Sequence, residues 1–267
     1  MHALSSASIQ TQSELIVARH VNTMIDKMND VYRGDGVLDM LDLLNFIVYD
    51  AISELTFGET LKLLETGEKI PWIRIMVGAR KFIVFRAIFL DIPIIGRLLE
   101  TLMAGPMKRR MREHCRLSED IVNRRLSRGK GGKPDLWGYV MKHSGSPKGL
   151  TMGEMYANGA MFPLAGESSG VVMTGTLYYV LTNPAVYVKL THEIRSAFST
   201  CADISVDAVS RLAYLNAVIQ EGMRVYPPGA VGIARFASSG GTEISGKVVP
   251  EGVSPFSRLS PCLNSLR

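Results

Sequence analysis

The sequence predicts a mostly α-helical protein with a small β element near its C-terminus. Apolar residues recur at helical spacing along most of the chain, and these segments end at glycine or proline. After Arg224 the pattern changes to short β-like pieces at residues 230–236 and 242–253, the second of which reads T-E-I-S-G-K-V-V-P-E-G-V.

The composition is that of an ordinary globular protein. The chain has 267 residues, of which 46% are hydrophobic, and a net charge of +5. The basic run at 108–116, K-R-R-M-R-E-H-C-R, is interrupted by Glu113 and is predicted to be a solvated helix face. A docking patch for an acidic partner is the alternative. Because the excess of positive charge is modest, we expect no nucleic-acid partner.

The sequence shows neither a membrane span nor a metal site. The most apolar stretch, within residues 70–102, is broken by Pro71 and Pro93 and contains charges, so a buried hairpin or a surface resting on a membrane is expected. No basic and apolar leader opens the chain. The three cysteines lie far apart without a C-x-x-C, which predicts a reducing compartment and no zinc site.

The helices are predicted from periodicity and from their start and stop signals. Their expected ranges are 14–32, 37–56, 106–126, 135–143, 151–181, 184–198 and 212–224. Thr151 and Glu154 form a capping box at the start of the long fifth helix. Pro184 suits the first position of the next helix.

The stretch L-A-Y-L-N-A-V-I-Q-E-G-M-R-V-Y-P-P-G at 212–229 organises the chain. Glu221 and Arg224 are neighbours on a helix surface, and such pairs are usually exposed and worth about 0.2–0.5 kcal/mol. Prolines 227 and 228 end the helix. One apolar face is predicted to be buried, and its members are Leu212, Leu215, Val218, Ile219 and Met223.

This stretch resembles the E-x-x-R helix of the cytochrome P-450 family, the heme-thiolate monooxygenases. The resemblance implies that Glu221 and Arg224 form a buried structural ion pair behind the heme. Arg235 resembles a family position that contacts a heme propionate. The resemblance covers about residues 2–253 and implies the central portion of the cytochrome P-450 fold, in the fungal secondary-metabolism branch.

The string Ala165-Gly166-Glu167-Ser168-Ser169-Gly170 is unusual for a helix centre because glycine weakens helices. Close helix–helix packing over the glycines explains it without any chemistry. The string also resembles the family's oxygen-activating motif, A-G-x-(D/E)-T-(T/S). By that resemblance Glu167 is the acid and Ser168 the alcohol of a proton relay, while Ala165 and Gly166 make room for oxygen beside the heme. One residue is missing before Glu167, and serine replaces threonine.

A serine hydrolase is the rival from another class, because G-E-S-S-G matches the nucleophile elbow G-x-S-x-G. That fold needs an acid and then a histidine after the serine. His192 is the sole histidine after Ser168, and no Asp or Glu lies between them. The triad cannot be completed in order, so this function is disfavoured.

The family's cysteine ligand, in F-x-x-G-x-R-x-C-x-G, has no counterpart in the chain. Cys262 does not fit, because Pro255, Arg258 and Ser260 stand where Phe, Gly and Arg are required. Residues 254–267 leave the family pattern and are expected to be a disordered tail, so the domain prediction is a partial cytochrome P-450 domain at 1–253. The family's membrane anchor and its W-x-x-x-R helix are likewise not found.

The resemblance implies heme as the cofactor of the parent family, NADPH-cytochrome reductase as a partner and a lipophilic small molecule as the substrate. It also implies the endoplasmic reticulum membrane as the parent location. Without the anchor and the cysteine ligand, this chain is expected to be cytoplasmic or peripheral on the membrane, to bind heme poorly and to be catalytically inactive. The alternative is a non-enzymatic helical relic or interaction protein.

Overall fold

The computed structural model describes residues 7–75, 78, 93–129, 135–142, 149–228, 237–244 and 246–251. Arg235, Cys262, the predicted strand at 230–236 and the tail at 254–267 lie outside these residues. Within them the helices are α1 (Ala7–Arg33), α2 (Met40–Phe57), α3 (Leu63–Thr66), α4 (Pro93–Ser127), α5 (Leu136–Lys142), α6 (Met152–Thr182), α7 (Pro184–Ala197), α8 (Val206–Ser210) and α9 (Ala213–Val225). Residues 71–75 are also helical, and Cys201–Asp203 form a 3-10 turn.

The predicted strand pair forms a two-stranded antiparallel hairpin of β1 (Thr242–Ile244) and β2 (Lys247–Val249). Thr242 faces Val249, and Ile244 faces Lys247. Gly246 lies in the turn at φ +76°, a left-handed conformation that glycine adopts without steric cost. The mostly helical fold with a small β element is therefore confirmed.

Helix ends follow the local capping chemistry. The carboxylate of Asp39 accepts hydrogen bonds from the N–H groups of Leu41 and Asp42 at the start of α2. The capping box predicted for α6 is present, since the Glu154 N–H donates to Thr151 Oγ1 and the Thr151 N–H donates to Glu154 Oε2 at 2.8 Å. These polar signals are local, which explains why the sequence located both starts closely.

The prediction that a helix begins at Pro106 is wrong. Helix α4 begins at Pro93 and runs through Pro106, which is exposed. Proline in a helix leaves one carbonyl without its N–H partner. That loss weakens the helix but does not by itself end it.

The chain divides into two compact units, and the boundary falls within α6. Unit 1 is Met1–Thr174 with Thr200–Val209, and unit 2 is Gly175–Ser199 with Ser210–Arg267. Unit 1 contains the main apolar core, built on residues that are all less than a tenth exposed. Its members are Leu43, Phe46, Ile47, Tyr49, Phe57, Leu63, Leu64, Trp72, Ile73, Ile121, Val122, Trp137, Met141 and Met155.

Buried polar groups tie the short elements of unit 1 to the long helices. Asp50, which is 1% exposed, accepts hydrogen bonds from the N–H groups of Leu63 and Leu64 at 3.1 and 2.9 Å. The ammonium of Lys27 donates to the Leu64 carbonyl at 2.7 Å. The four-residue helix α3 is thus held at its start by α2 and at a carbonyl by α1.

The apolar face of α9 is not buried, contrary to the sequence prediction. Gly222 is the one buried residue of α9, and Ile219 and Met223 are 38% and 44% exposed. Leu212, Leu215 and Val218 are half-buried, so the described part of unit 2 covers this face only in part. None of the described helices is sufficiently long and apolar to cross a bilayer.

Candidate functional site

The centre of α6 has two different faces. Gly159, Gly166 and Gly170 are seven and four residues apart, so they lie along one side of the helix. Gly166 and Gly170 are buried, whereas Ser168 and Ser169 are exposed. Ser168 is two residues from Gly166, about 200° around the helix. The structure therefore places Gly166 and the Ser168 hydroxyl on opposite sides of α6.

The glycine face of α6 packs directly on two other helices of unit 1. A methyl group at Gly159 would collide with Val122 Cγ2 of α4. One at Gly166 would collide with Ile52 Cδ1 of α2, and one at Gly170 with the Asn45 side chain. Close packing over the glycines is confirmed. The space beside Gly166 is filled by Ile52, so on this side of the helix it is not open to a ligand.

For the other two residues of the candidate oxygen-activating motif, the structure gives only the helix in which they lie. Ala165 and Glu167 lie in α6, and their side chains are outside what the structure describes. The exposed side chains that share the Ser168 face include Met161, which is 58% exposed. This side of α6 is the one that remains accessible in unit 1.

Glu221 and Arg224 form a bidentate ion pair in the last turns of α9. Arg224 Nε lies 2.7 Å from Glu221 Oε2, and Nη2 lies 2.5 Å from Oε1. The hydrogen bonds from Arg224 lower the pKa of Glu221, and the same bonds raise the pKa of Arg224. The expectation that this pair is buried is not met, because the side chains of Glu221 and Arg224 are 58% and 32% exposed. Water therefore screens the pair, and its net contribution to stability is small.

Helix α9 is capped by a residue that the sequence analysis did not identify. The Glu193 carboxylate of α7 accepts hydrogen bonds from the N–H groups of Tyr214 and Leu215 at 2.9 and 2.8 Å. The N-cap residue Leu212 makes no side-chain cap. A helix start without a local cap needs a hydrogen-bond acceptor from another part of the chain. An apolar residue at the N-cap position was therefore the signal in the sequence that such an acceptor exists. The Lys189 ammonium, 4.2 Å from the centre of the Tyr214 ring, adds a second contact between α7 and α9.

Glycine also determines how α9 packs against the end of α6 within unit 2. A methyl group at Gly222, between the two charged residues of the pair, would collide with Thr176 Oγ1. One at Gly175 would collide with the Tyr226 ring. The glycine in E-G-M-R is therefore a packing requirement, which helical periodicity alone could not reveal.

The described residues do not fit a heme-thiolate iron site. Cys115 lies half-buried in α4, and Cys201 is exposed in the 3-10 turn. In the same residues, no three side chains of His, Cys, Asp and Glu come together as a metal-binding group. A heme iron of this kind needs one cysteine thiolate held beside the porphyrin. Neither cysteine is preceded by the Phe, Gly and Arg of the family's ligand motif.

Comparison with known proteins gives one consistent family. The model of the cytochrome P-450 family matches residues 1–260. The cytochrome P-450 monooxygenase efuB of Hormonema carpetanum is 35% identical over 257 residues, covering 94% of this chain and 50% of that protein. Averantin hydroxylase of Dothistroma septosporum is 32% identical over 260 residues, covering 94% of this chain and 47% of that protein.

Solved structures give the same fold. The heme domain of a cytochrome P-450DA mutant matches with a TM-score of 0.76 at 18% identity, covering 97% of this chain and 56% of that domain. The chain thus spans about half the length of the curated relatives it matches.

Proposed function

This chain belongs to the cytochrome P-450 family, and from that membership we propose that its parent activity is the heme-dependent oxidation of a lipophilic secondary metabolite. We further propose that the chain by itself does not catalyse this oxidation. The observation that carries the first proposal is the family match across residues 1–260, together with fungal monooxygenases among the relatives. The second proposal rests on the cysteines.

None of the three cysteines of this chain stands in the family's ligand motif. Cys262 is preceded by Pro255, Arg258 and Ser260 at the positions where the motif has Phe, Gly and Arg. A thiolate that lacks this loop has no backbone to hold it against the iron. We therefore derive no oxygen chemistry for this chain, and we expect weak heme binding at most.

Each candidate residue of the parent site has its own proposed role. Ser168, with Glu167, is the proposed proton relay, and the support is that the Ser168 side of α6 is accessible while the glycine side is packed. Ala165 and Arg235 are the proposed neighbours of the heme. The expectation that Gly166 makes room for oxygen is not proposed for this chain, because Ile52 fills the space beside Gly166. Glu221 and Arg224 are the proposed structural pair, supported by their bidentate geometry.

The parent protein would take electrons from NADPH-cytochrome reductase at the endoplasmic reticulum membrane. We propose a cytoplasmic or peripheral location for this chain.

The test is a reduced-plus-carbon-monoxide spectrum of the purified chain after reconstitution with heme. We expect no thiolate Soret band, while the full-length cytochrome P-450 monooxygenase efuB treated in the same way should show one. A thiolate band from this chain would overturn the proposed inactivity. Cys115→Ser, Cys201→Ser and Cys262→Ser variants would then identify the ligand.

The second candidate is a helical protein that acts without heme, such as an interaction module. The observation in its favour is the apolar core of unit 1, which contains side chains as buried as Trp72 and Trp137 at 2% and 0% exposure. Cooperative thermal unfolding of the heme-free chain would support it. A molten state that binds the dye ANS would count against it. ANS binds exposed apolar surface, such as the exposed faces of α7 and α9.

A further inference from the structure

His114 of α4 connects three elements of unit 1. Its Nδ1 accepts a hydrogen bond from the indole N–H of Trp72 at 2.9 Å, and the two rings lie 6.1 Å apart at an angle of 27°. Trp72 is 2% exposed, so its N–H has lost access to water and depends on this acceptor. The bond requires a lone pair on Nδ1, which means that the ring is neutral and carries its proton on Nε2.

The other side of the ring reaches α6. His114 is hydrogen-bonded to the backbone of Ala160, and this bond favours the charged form of the ring. A bond with that effect is donated by the ring to a carbonyl, and Nε2 is the available donor. Ala160 lies three residues before Pro163, which has no N–H to donate within α6. The imidazole therefore binds α6 next to an interruption in its own hydrogen-bond ladder.

We infer that His114 is a proton-sensitive link, which holds the helical segment 71–75 to α4 while the ring is neutral and releases Trp72 when the ring is protonated. A proton on Nδ1 would point an N–H at the indole N–H, and two donors cannot bond each other. The bond to the Ala160 carbonyl survives protonation, because Nε2 keeps its proton. The change is therefore one-sided: Trp72 and its segment are released, and α4 stays attached to α6.

The surroundings of the ring favour the neutral form. Burial lowers the pKa of His114 below its ordinary value of 6.5, and the Ala160 bond opposes that shift without reversing it. Segment 71–75 carries Arg74, and the acid of α6 nearest in sequence to Ala160 is Glu154. The charged residues of α4 within one turn of His114 are Arg110, Arg112, Glu113 and Arg116. Arg74 is occupied by the Lys69 carbonyl and Glu154 by Thr151. No charged group contributes to the shift.

The direction of the pH dependence follows from the lowered pKa. Below an unfolded-state pKa of about 6.5 the unfolded chain binds a proton that the folded chain does not. The link therefore stabilises the fold fully above that pH, and its contribution declines as the pH falls towards the lowered folded-state value. The segment released lies at the start of the apolar region 70–102.

Fluorine NMR of the full chain labelled with 5-fluorotryptophan tests the inference. The chain has two tryptophans, so Trp72 and Trp137 give two resonances, and a Trp72→Phe variant assigns them. Between about pH 7.5 and pH 5 we expect the Trp72 resonance to shift towards its solvent-exposed position. The Trp137 resonance, from a side chain with 0% exposure, should remain in place.

His114→Gln is the matched control, because its amide can accept from the indole and donate to the carbonyl but does not titrate in this range. The Trp72 resonance should then lose its pH dependence. In Trp72→Phe, the pKa of His114 measured by NMR should rise, since the indole no longer favours the neutral ring. The inference is overturned if the Trp72 shift persists unchanged in His114→Gln, if the native chain shows no shift, or if both tryptophans move together as the chain unfolds.

Discussion

Arg125 and Asp135 form a buried bidentate ion pair that joins the end of α4 to the start of α5. Arg125 Nε lies 2.5 Å from Asp135 Oδ2, and Nη2 lies 2.9 Å from Oδ1. The side chains are only 5% and 3% exposed. Asp135 Oδ1 also accepts the backbone N–H of Gly138 at 2.6 Å, so one carboxylate both neutralises the arginine and caps α5.

Removing the carboxylate should destabilise the fold strongly. Asp135→Ala leaves the Arg125 charge buried without a partner, and we expect the free energy of unfolding to fall by about 3–5 kcal/mol. The measurement is urea unfolding followed by circular dichroism. Glu59→Ala is the control, because Glu59 pairs with Arg124 and Arg128, which are 55% and 43% exposed. That change should cost about 1 kcal/mol or less. Equal losses in the two variants would contradict the prediction.

The glycines of α6 should respond to alanine according to their surroundings. Gly159→Ala should destabilise the chain by about 1–3 kcal/mol, because the methyl group meets Val122, whose branched side chain has few rotamers in a helix. Gly153→Ala, in the first turn of the same helix with no atom within 4 Å, should instead stabilise it by up to about 1 kcal/mol.

Thermal unfolding of both glycine variants gives the comparison, and Val122→Ala supplies a further check. In that background Gly159→Ala should cost less, since the truncated side chain leaves room for the methyl group. Two glycine substitutions with the same sign of effect would show that helix propensity, rather than contact with α4, governs this face.

Glu193 should stabilise the start of α9 from a distance. In Glu193→Ala the N–H groups of Tyr214 and Leu215 lose their acceptor, so we expect a loss of about 0.5–2 kcal/mol. Hydrogen exchange should rise at the α9 amides more than at those of α7. Arg195→Ala, at an exposed position of α7, is the control and should change stability by no more than about 0.5 kcal/mol. Unchanged α9 exchange in Glu193→Ala would disprove the cap.

Glu54 should make the fold sensitive to acid. Burial raises the pKa of Glu54, but the bonds from Arg19 and His20, at 2.5 and 3.0 Å, outweigh it and hold the pKa below 4.5. Folding therefore favours the carboxylate, which stabilises the chain above pH 4.5 and loses that effect as the pH falls through the lowered value.

The free energy of unfolding, measured as a function of pH, tests this role. Glu54→Gln should reduce stability near neutral pH and flatten its decline below pH 4.5. Arg19→Gln keeps the carboxylate and His20, so it should flatten the decline less. A decline in Glu54→Gln as steep as that of the native chain would assign the acid sensitivity to other groups.

Local signals in the sequence were sufficient for most helix ends. Asp39, Gly58 and the Thr151–Glu154 box act on backbone groups within four residues, so their effect can be read without knowledge of the fold. Pro106 misled the prediction, because tertiary context can override the low helix propensity of proline.

The candidate site divides in the same way. The sequence identified the pair Glu221 and Arg224 and the string 165–170, because the members of each lie close together in the chain. Their roles in the parent enzyme remain predictions. The structure decided that Gly166 packs on Ile52 while Ser168 stays exposed.

Family membership and the helical character of the chain can thus be recognised from the sequence alone, because motifs and periodicity are present in the order of the residues. The cap from Glu193, the buried Arg125–Asp135 pair and the Trp72–His114 link were decided by tertiary structure alone. Each joins residues that are 10 to 42 positions apart. Periodicity describes one element at a time, so it carries no information about which elements meet.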